Sequence, residues 1–334
     1  MTTEPITIIA ERQQNPVNDL YSAHIAVVRP ILNGLLYSLK KQVVDQLGGY
    51  EQVPLFMLPR LRREGDGDIG ICFEYAVHEA LRQGQAGITE RIYDALTRYC
   101  RVPGSHIDSI LFAAEKNGSL QLVNTANGLL TDESRILTGA QAQPPKLKQY
   151  LNDLARAFRS STHRETLPST IKGLWKADLF VGCRDSDRWV GTTVKINPSM
   201  LEGAAGLRLG IVPSTQGRYD GIRVDHQRNL VVCPVPYDAS FMEVFYVSWG
   251  VVMQFLDADA NMPRESHLPI PFHRQVANEL VSRRNFMVVD VIDALRPIAQ
   301  PHLLFNEHES VPVDVGVAEK TPDTLISPTP AIIT

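Results

Sequence analysis

Long apolar runs are missing from this sequence. The longest, Phe241 to Leu256, is interrupted by Glu243, Ser248 and Gln254, and a membrane-spanning helix needs about 20 consecutive apolar residues. Met1 to Arg12 has no basic start followed by an apolar block, so no secretory leader is expected and the reading places the protein in the cytoplasm. Cysteine is scarce: Cys72, Cys100, Cys183 and Cys233 are far apart and none forms a CxxC pair. That spacing argues against a structural zinc site, and a reducing compartment argues against disulfides, which leaves four small buried hydrophobes. An excess of positive charge is also missing, with Lys and Arg numbering 33 against 37 Asp and Glu, a net charge of −4. A protein that coats nucleic acid non-specifically is normally basic. An enzyme that cuts it can concentrate its cations in one cleft and neutralise its carboxylates with metal ions. No GxxxxGK[ST] loop is present, so ATP hydrolysis is not expected, and neither GxSxG nor HExxH occurs. No internal repeat is visible.

What remains is an ordinary globular composition, 44% hydrophobic and 21% charged over 334 residues, enough for one elaborated domain or two modest ones. Apolar residues recur at helical spacing from Val17 to Leu47, with an interruption expected near Pro30 and an end at Gly48-Gly49. Ile69 to Leu81 reads as a helix capped by Asp68, Ile88 to Tyr99 continues in helical style, and Lys146 to Arg159 is clearly amphipathic. Ser105 to Ala114 reads as mixed, and Leu120 to Leu130 as a strand and turn. Trp175 to Val181, Trp189 to Ile196, Arg208 to Val212 and Leu230 to Val235 are short β-rich runs bounded by turn residues. Phe241 to Leu256 is expected to be a helix packed across that sheet, Arg274 to Ser282 a helix, Met287 to Val291 a strand, and Asp290 to Leu295 the start of another short helix. The order implies an α/β fold with a mixed central sheet flanked by helices.

Three segments carry chemistry. The helix Gly70-Ile-Cys-Phe-Glu74-Tyr-Ala-Val-His-Glu-Ala-Leu81 has a carboxylate beside its apolar stripe. The strand Trp175-Lys-Ala-Asp178-Leu-Phe-Val-Gly182 has one acid among apolar neighbours, and Trp189-Val-Gly-Thr-Thr193-Val-Lys195-Ile-Asn197 has one lysine in a β-branched run. Charged residues are rarely interior, so Asp178 and Lys195 are out of place in such strands. A hairpin through the polar turn Arg184-Asp-Ser-Asp187 would bring them together at the open end of the sheet. A carboxylate there suits Mg²⁺, which prefers oxygen ligands. A neighbouring lysine can orient or deprotonate a water, or stabilise developing charge. The alternatives are a structural cross-strand pair of Asp178 with Lys195, a solvated helix-face position for Glu74, and a surface position for Glu79.

The helical Phe-Glu, the strand Asp and the following strand ending in x-x-Lys resemble the PD-(D/E)xK nucleases, which include restriction enzymes and anti-phage effectors. The resemblance covers roughly Gly70 to Asn197. It implies a restriction-endonuclease-like α/β core over residues 66–311 with a helical insertion at about 100–165, preceded by an N-terminal helical elaboration (1–65) and followed by a disordered tail (312–334). It implies that Glu74 and Asp178 bind Mg²⁺ or Mn²⁺ and that Lys195 assists the attacking water. The family usually has an acid or Gln two residues before the Lys, where this chain has Thr193. Either Glu74 supplies the missing charge or the site binds DNA without cutting it. On this reading DNA is the partner, with a protein partner from a multi-component defence system, and the chain works as a homo-oligomer or in a hetero-complex.

Arg60, Arg62 and Arg63, with Lys176 and Asn197 beside the acid and the lysine, are the candidate nucleic-acid contacts. Arg91, Arg98, Arg101, Arg283 and Arg284 are further cations that could meet phosphates or simply be solvated. His78 lies one turn after Glu74 and could touch the same site, though a lone His at helical spacing reads as structural; His267 and His273 sit in a Pro-rich loop without metal-ligand spacing. Asp238, after Pro234-Val-Pro-Tyr237, is expected to cap the Phe241 helix or to close a cleft.

Overall fold

The computed structural model describes residues 16–62, 69–112, 120–140, 143–215, 220–238 and 240–301. The expectations for Arg63, the Asp68 cap, the boundary near residue 65 and the 312–334 tail lie outside them.

The chain opens with α1 (Pro16–Ser38) and the short α2 (Lys41–Asp45) and α3 (Leu58–Leu61). Then come α4 (Ile69–Arg82), α5 (Ala86–Asp94) with a wider π turn to Cys100, and β1 (Ile107–Leu111). A second group follows: α6 (Leu120–Leu129), β2 (Arg135–Ile136), α7 (Leu147–Ala157) and α8 (Ser161–Thr166). The sheet is completed by β3 (Leu179–Cys183), β4 (Arg188–Val194), β5 (Leu207–Pro213), β6 (Arg223–Asp225) and β7 (Leu230–Val235), and α9 (Met242–Asp257), α10 (Pro271–Ser282) and α11 (Val288–Ala294) end the described chain. Seven strands form one mixed sheet in the order β1-β3-β4-β5-β7-β6, with β2 alongside the start of β4. β1, β3 and β4 are an antiparallel meander, β4, β5 and β7 run parallel, and β6 is antiparallel to β7.

Alternation along the strands divides the sheet between two cores. Leu179, Val181, Val190, Val194, Leu209, Ile211 and Val231 join the larger cluster with α1, α4, α9, α10 and α11. Phe180, Trp189 and Leu207 join the smaller one on the opposite face, with Leu151 and Leu154 of α7 and Ala126 of α6. The chain is thus α/β, a mixed sheet with helices on both faces, as its pattern implies. All four cysteines are free and buried. No helix among the described residues is long and apolar enough to cross a membrane.

Several elements differ from the sequence reading. The first helix runs through Pro30 without interruption and breaks only after Ser38. Its buried residues Ile25, Val28, Ile31, Leu32, Leu35 and Leu36 pack on α4, α9 and α10, and that burial offsets the hydrogen bond the proline removes. Assigned to an N-terminal elaboration, α1 is instead a central helix of the main core. The supposed insertion contributes β1 and β2 to the sheet as well as helices. Leu120–Leu129 is helical because Val123, Ala126 and Leu130 fall on one face against α7. Val288, Val291, Ile292 and Leu295 bury one helical stripe, so tertiary packing overrides the β propensity of that β-branched run. Leu174–Lys176 is a 3₁₀ turn before β3, its Trp175 ring lying 3.9 Å from the Arg164 guanidinium. The long helix α9 packs on α1, α3, α4 and α10, with Phe245 against Phe73 at 5.4 Å, and joins the same core cluster as the strands. Asp238 accepts a hydrogen bond from Ser240 N (2.9 Å) in the turn ahead of α9, and α9 has no side-chain cap.

The α1–α4 crossing depends on Gly34, where an added Cβ would lie 2.8 Å from Cys72 Cα. Helix propensity alone would make Gly34→Ala stabilising by about 1 kcal/mol. Overpacking against backbone costs about 1–3 kcal/mol and wins. Gly34→Ala is expected to lower the denaturant midpoint in equilibrium unfolding with an unchanged m-value; a raised midpoint would show that the two helices can move apart freely.

Candidate active site

Glu74, Asp178 and Lys195 meet at one rim of the sheet. Asp178 immediately precedes β3 and Lys195 immediately follows β4, and because these strands are antiparallel both residues lie at the same end. Backbone pairing continues past the strands: Asp178 N donates to Thr192 O (2.9 Å), Phe112 N donates to Asp178 O (2.9 Å), and Lys195 N donates to Ile211 O (3.0 Å). The two residues are therefore held by the ladder and not by loose loops. Glu74 reaches the rim from α4, whose Phe73, Ala76, Val77, Ala80 and Leu81 are locked in the main core.

Asp178 is fully buried. Its Oδ2 accepts hydrogen bonds from Val194 N at 2.9 Å, Thr193 Oγ1 at 3.1 Å and Lys195 Nζ at 2.7 Å. The same Nζ lies 3.4 Å from Glu74 Oε1, and the side chains are 29% (Lys195), 10% (Glu74) and 0% (Asp178) exposed. Burial alone would lower the Lys195 pKa, but the charges of Asp178 and Glu74 outweigh it and hold the ammonium above its ordinary range. In this arrangement Lys195 carries its proton, which makes it a cation and a hydrogen-bond donor and not a base. Thr193 points its hydroxyl at Asp178, so it fastens the acid in place. Glu74 is no solvated helix-face residue.

The structure brings Lys176 close to this rim, paired with Glu202 at 2.7 Å. Asn197 is exposed and caps the short turn Pro198–Met200, its Oδ1 accepting from Ser199 N at 3.0 Å. Arg60 is engaged elsewhere, in a bidentate pair with Asp259 at the end of α9 (3.1 and 2.7 Å), and Arg62 donates to Met253 Sδ on α9 at 3.5 Å. Arg91 donates to Pro234 O (2.6 Å), Arg98 pairs with Asp94 and Arg283 with Glu279 (2.5 Å each), and Arg284 bonds Asn261. These arginines brace the fold and do not converge on the site. Glu79 is half-buried against the buried Arg29 (3.3 Å), which also donates to Ile292 O. His78 bonds Ser109 Oγ through Nδ1 at 3.0 Å, and burial together with the nearby Arg82 charge pushes its pKa down to about 3, so it is neutral. His273 packs edge-on against Phe272 and His24. His78 thus serves a structural hydrogen bond, as expected, and His273, expected in a Pro-rich loop, lies in α10 and packs against aromatic rings.

Sequence reasoning passed over a cleft of about 570 Å³ beside β1, lined by Arg82, His106, Asp108 and Arg184 among others. The one available signal was that Glu74, His78 and Arg82 are spaced i, i+4 and i+8 on a single helix, and so share a face.

No protein-family model matches the chain, and neither does any curated protein or solved structure.

Proposed function

We propose that this chain is a divalent-metal-dependent nuclease of restriction-endonuclease-like architecture that hydrolyses DNA phosphodiesters. The observation carrying the reading is that Lys195 Nζ lies 2.7 Å from Asp178 and 3.4 Å from Glu74, a hairpin pair and a helical acid 121 residues from Lys195 meeting at a partly open rim. Its resemblance to nucleases of restriction and anti-phage systems supports a role in such defence.

The residues fit a small hard cation. Two carboxylates, one rigidly held in the sheet and one on a helix, converge on a single point. Mg²⁺ commonly takes one or two carboxylates and completes its shell with water and substrate phosphate, so the lack of a group of three or more metal-binding side chains among the described residues is compatible with it. The ion, Mg²⁺ or Mn²⁺, would polarise the phosphate and acidify a bound water. Asp178 and Glu74 would hold it. The backbone N–H of Val194 and the Thr193 hydroxyl keep Asp178 oriented as the substrate arrives. Lys195, bearing its proton, would orient the attacking water and place positive charge beside the phosphate as negative charge builds on its oxygens.

A second reading is a nuclease-fold module that binds DNA without cutting it. It is favoured by the ammonium standing where both carboxylates converge, and by a hydroxyl at Thr193 in place of a third acid. Incubating purified chain with supercoiled plasmid separates the two. The nuclease reading expects nicking or linearisation with Mg²⁺ or Mn²⁺ and its loss on chelation. Retarded but intact plasmid under both metals would favour the binding module instead.

A further inference from the structure

The cleft beside β1 is unexplained by the rim chemistry, yet α4 connects the two. From Glu74 to Arg82 is eight residues along this helix, a rise of about 12 Å. His78 lies between them and is hydrogen-bonded to Ser109 of β1. The cleft walls carry two guanidiniums and two carboxylates, and their pairings are unequal. Asp185 is taken up by its own turn, accepting from Ser105 N at 2.8 Å and from His106 N at 3.3 Å. Asp108 accepts from Arg184 Nε at 3.0 Å and from Ser109 N at 2.7 Å. Arg82 is exposed and has no carboxylate partner among the described residues. Its five donors face a space of about 570 Å³, large enough for a nucleotide-sized group. A planar guanidinium with no salt-bridge partner of its own among the described residues, beside carboxylates bonded to other groups, is suited to a phosphate.

We infer that this cleft receives the substrate's sugar-phosphate backbone a few nucleotides from the scissile bond, with Arg82 as the phosphate contact and the Arg184–Asp108 pair forming the facing wall. The inference rests on the nuclease reading and assigns the path the strand takes away from Lys195, along α4 toward the edge of the sheet. At about 3.4 Å per nucleotide of a duplex strand, the helix rise corresponds to about three or four nucleotides.

The test compares Arg82→Glu and Arg82→Lys in a Lys195→Gln background, where cleavage is suppressed. Binding of a fluorescein-labelled DNA duplex is titrated at several salt concentrations. Arg82→Glu is expected to weaken binding about tenfold or more and to make log K against log salt shallower by about one unit, as loss of one phosphate contact does. Arg82→Lys should retain the slope. Affinity and slope unchanged in Arg82→Glu would overturn the inference while leaving the nuclease reading intact. Binding lost in Arg82→Glu, by a protein whose parent never cuts with any metal, would sustain the cleft and reject the nuclease. An unsubstituted chain that retains no DNA would overturn both. Since Arg82 is exposed, both Arg82 variants should show the circular dichroism and melting temperature of the Lys195→Gln background.

Discussion

Replacing Lys195 with Gln is expected to reduce DNA cleavage by about 10²–10³-fold while leaving DNA binding within a few-fold of the parent. The magnitude is that of removing one preorganised donor aimed at developing charge. Gln can still donate a hydrogen bond to Asp178, so what it deletes is the formal charge at the rim. The ground state gains little from that charge, because a bound metal would already offset the carboxylates, whereas the phosphoryl oxygens become most negative in the transition state. The loss should therefore fall on kcat and spare KM. The measurement is a single-turnover time course at saturating Mg²⁺ beside a binding titration. A variant that cuts at the parent's rate would remove Lys195 from the chemistry, and one that loses only affinity would reassign it to substrate binding.

Asp178→Ala should produce the largest change in stability. It strips the acceptor from Val194 N, Thr193 Oγ1 and Lys195 Nζ at once, all at a fully buried position. Removing one partner of a buried ion pair costs about 3–5 kcal/mol. Lys195 is part-exposed and keeps Glu74, so about 3 kcal/mol is the better expectation. For a chain of 334 residues that corresponds to a fall in melting temperature of about 4–5 °C. A second readout separates architecture from metal binding. Millimolar Mg²⁺ should raise the melting temperature of the parent by mass action and leave that of Asp178→Ala unmoved. If the variant melts higher than the parent without metal, relief of carboxylate repulsion dominates and Lys195 does not neutralise the pair as its geometry indicates. If it melts lower and neither protein responds to Mg²⁺, the cluster is an architectural ion-pair network.

Both expectations depend on the same local logic. In a dry setting three donors on one carboxylate oxygen are worth more than three surface bonds, and the ladder hydrogen bonds on either side prevent Asp178 from relaxing when one is lost. The Thr193 hydroxyl belongs to this set. Its observed task is to fasten the neighbouring acid.

Much of this was legible in the residues themselves. The β-rich runs at Trp189–Ile196, Arg208–Val212 and Leu230–Val235, bounded by turn residues, declare strands that the sheet buries on both faces, and the helical spacing at Ile69–Leu81 declares a helix. Asp178 and Lys195 stood out because charge in an otherwise interior strand calls for a partner, and the four-residue turn between Cys183 and Arg188 allowed few registers. What required the tertiary structure were facts about distance and competition. Whether Glu74 joins the strand residues depends on where α4 crosses the sheet, which is set by contacts such as Gly34 on Cys72 that no local pattern encodes. Arg60 looked available until Asp259 claimed it, 199 residues away, while Arg82 looked ordinary until the fold set it on the wall of a cleft whose two carboxylates are bonded to other groups. Sequence spacing determines which residues share a face; only the packed chain decides which charges are already satisfied, because pairing depends on separation in space and carries no periodic signature along the chain.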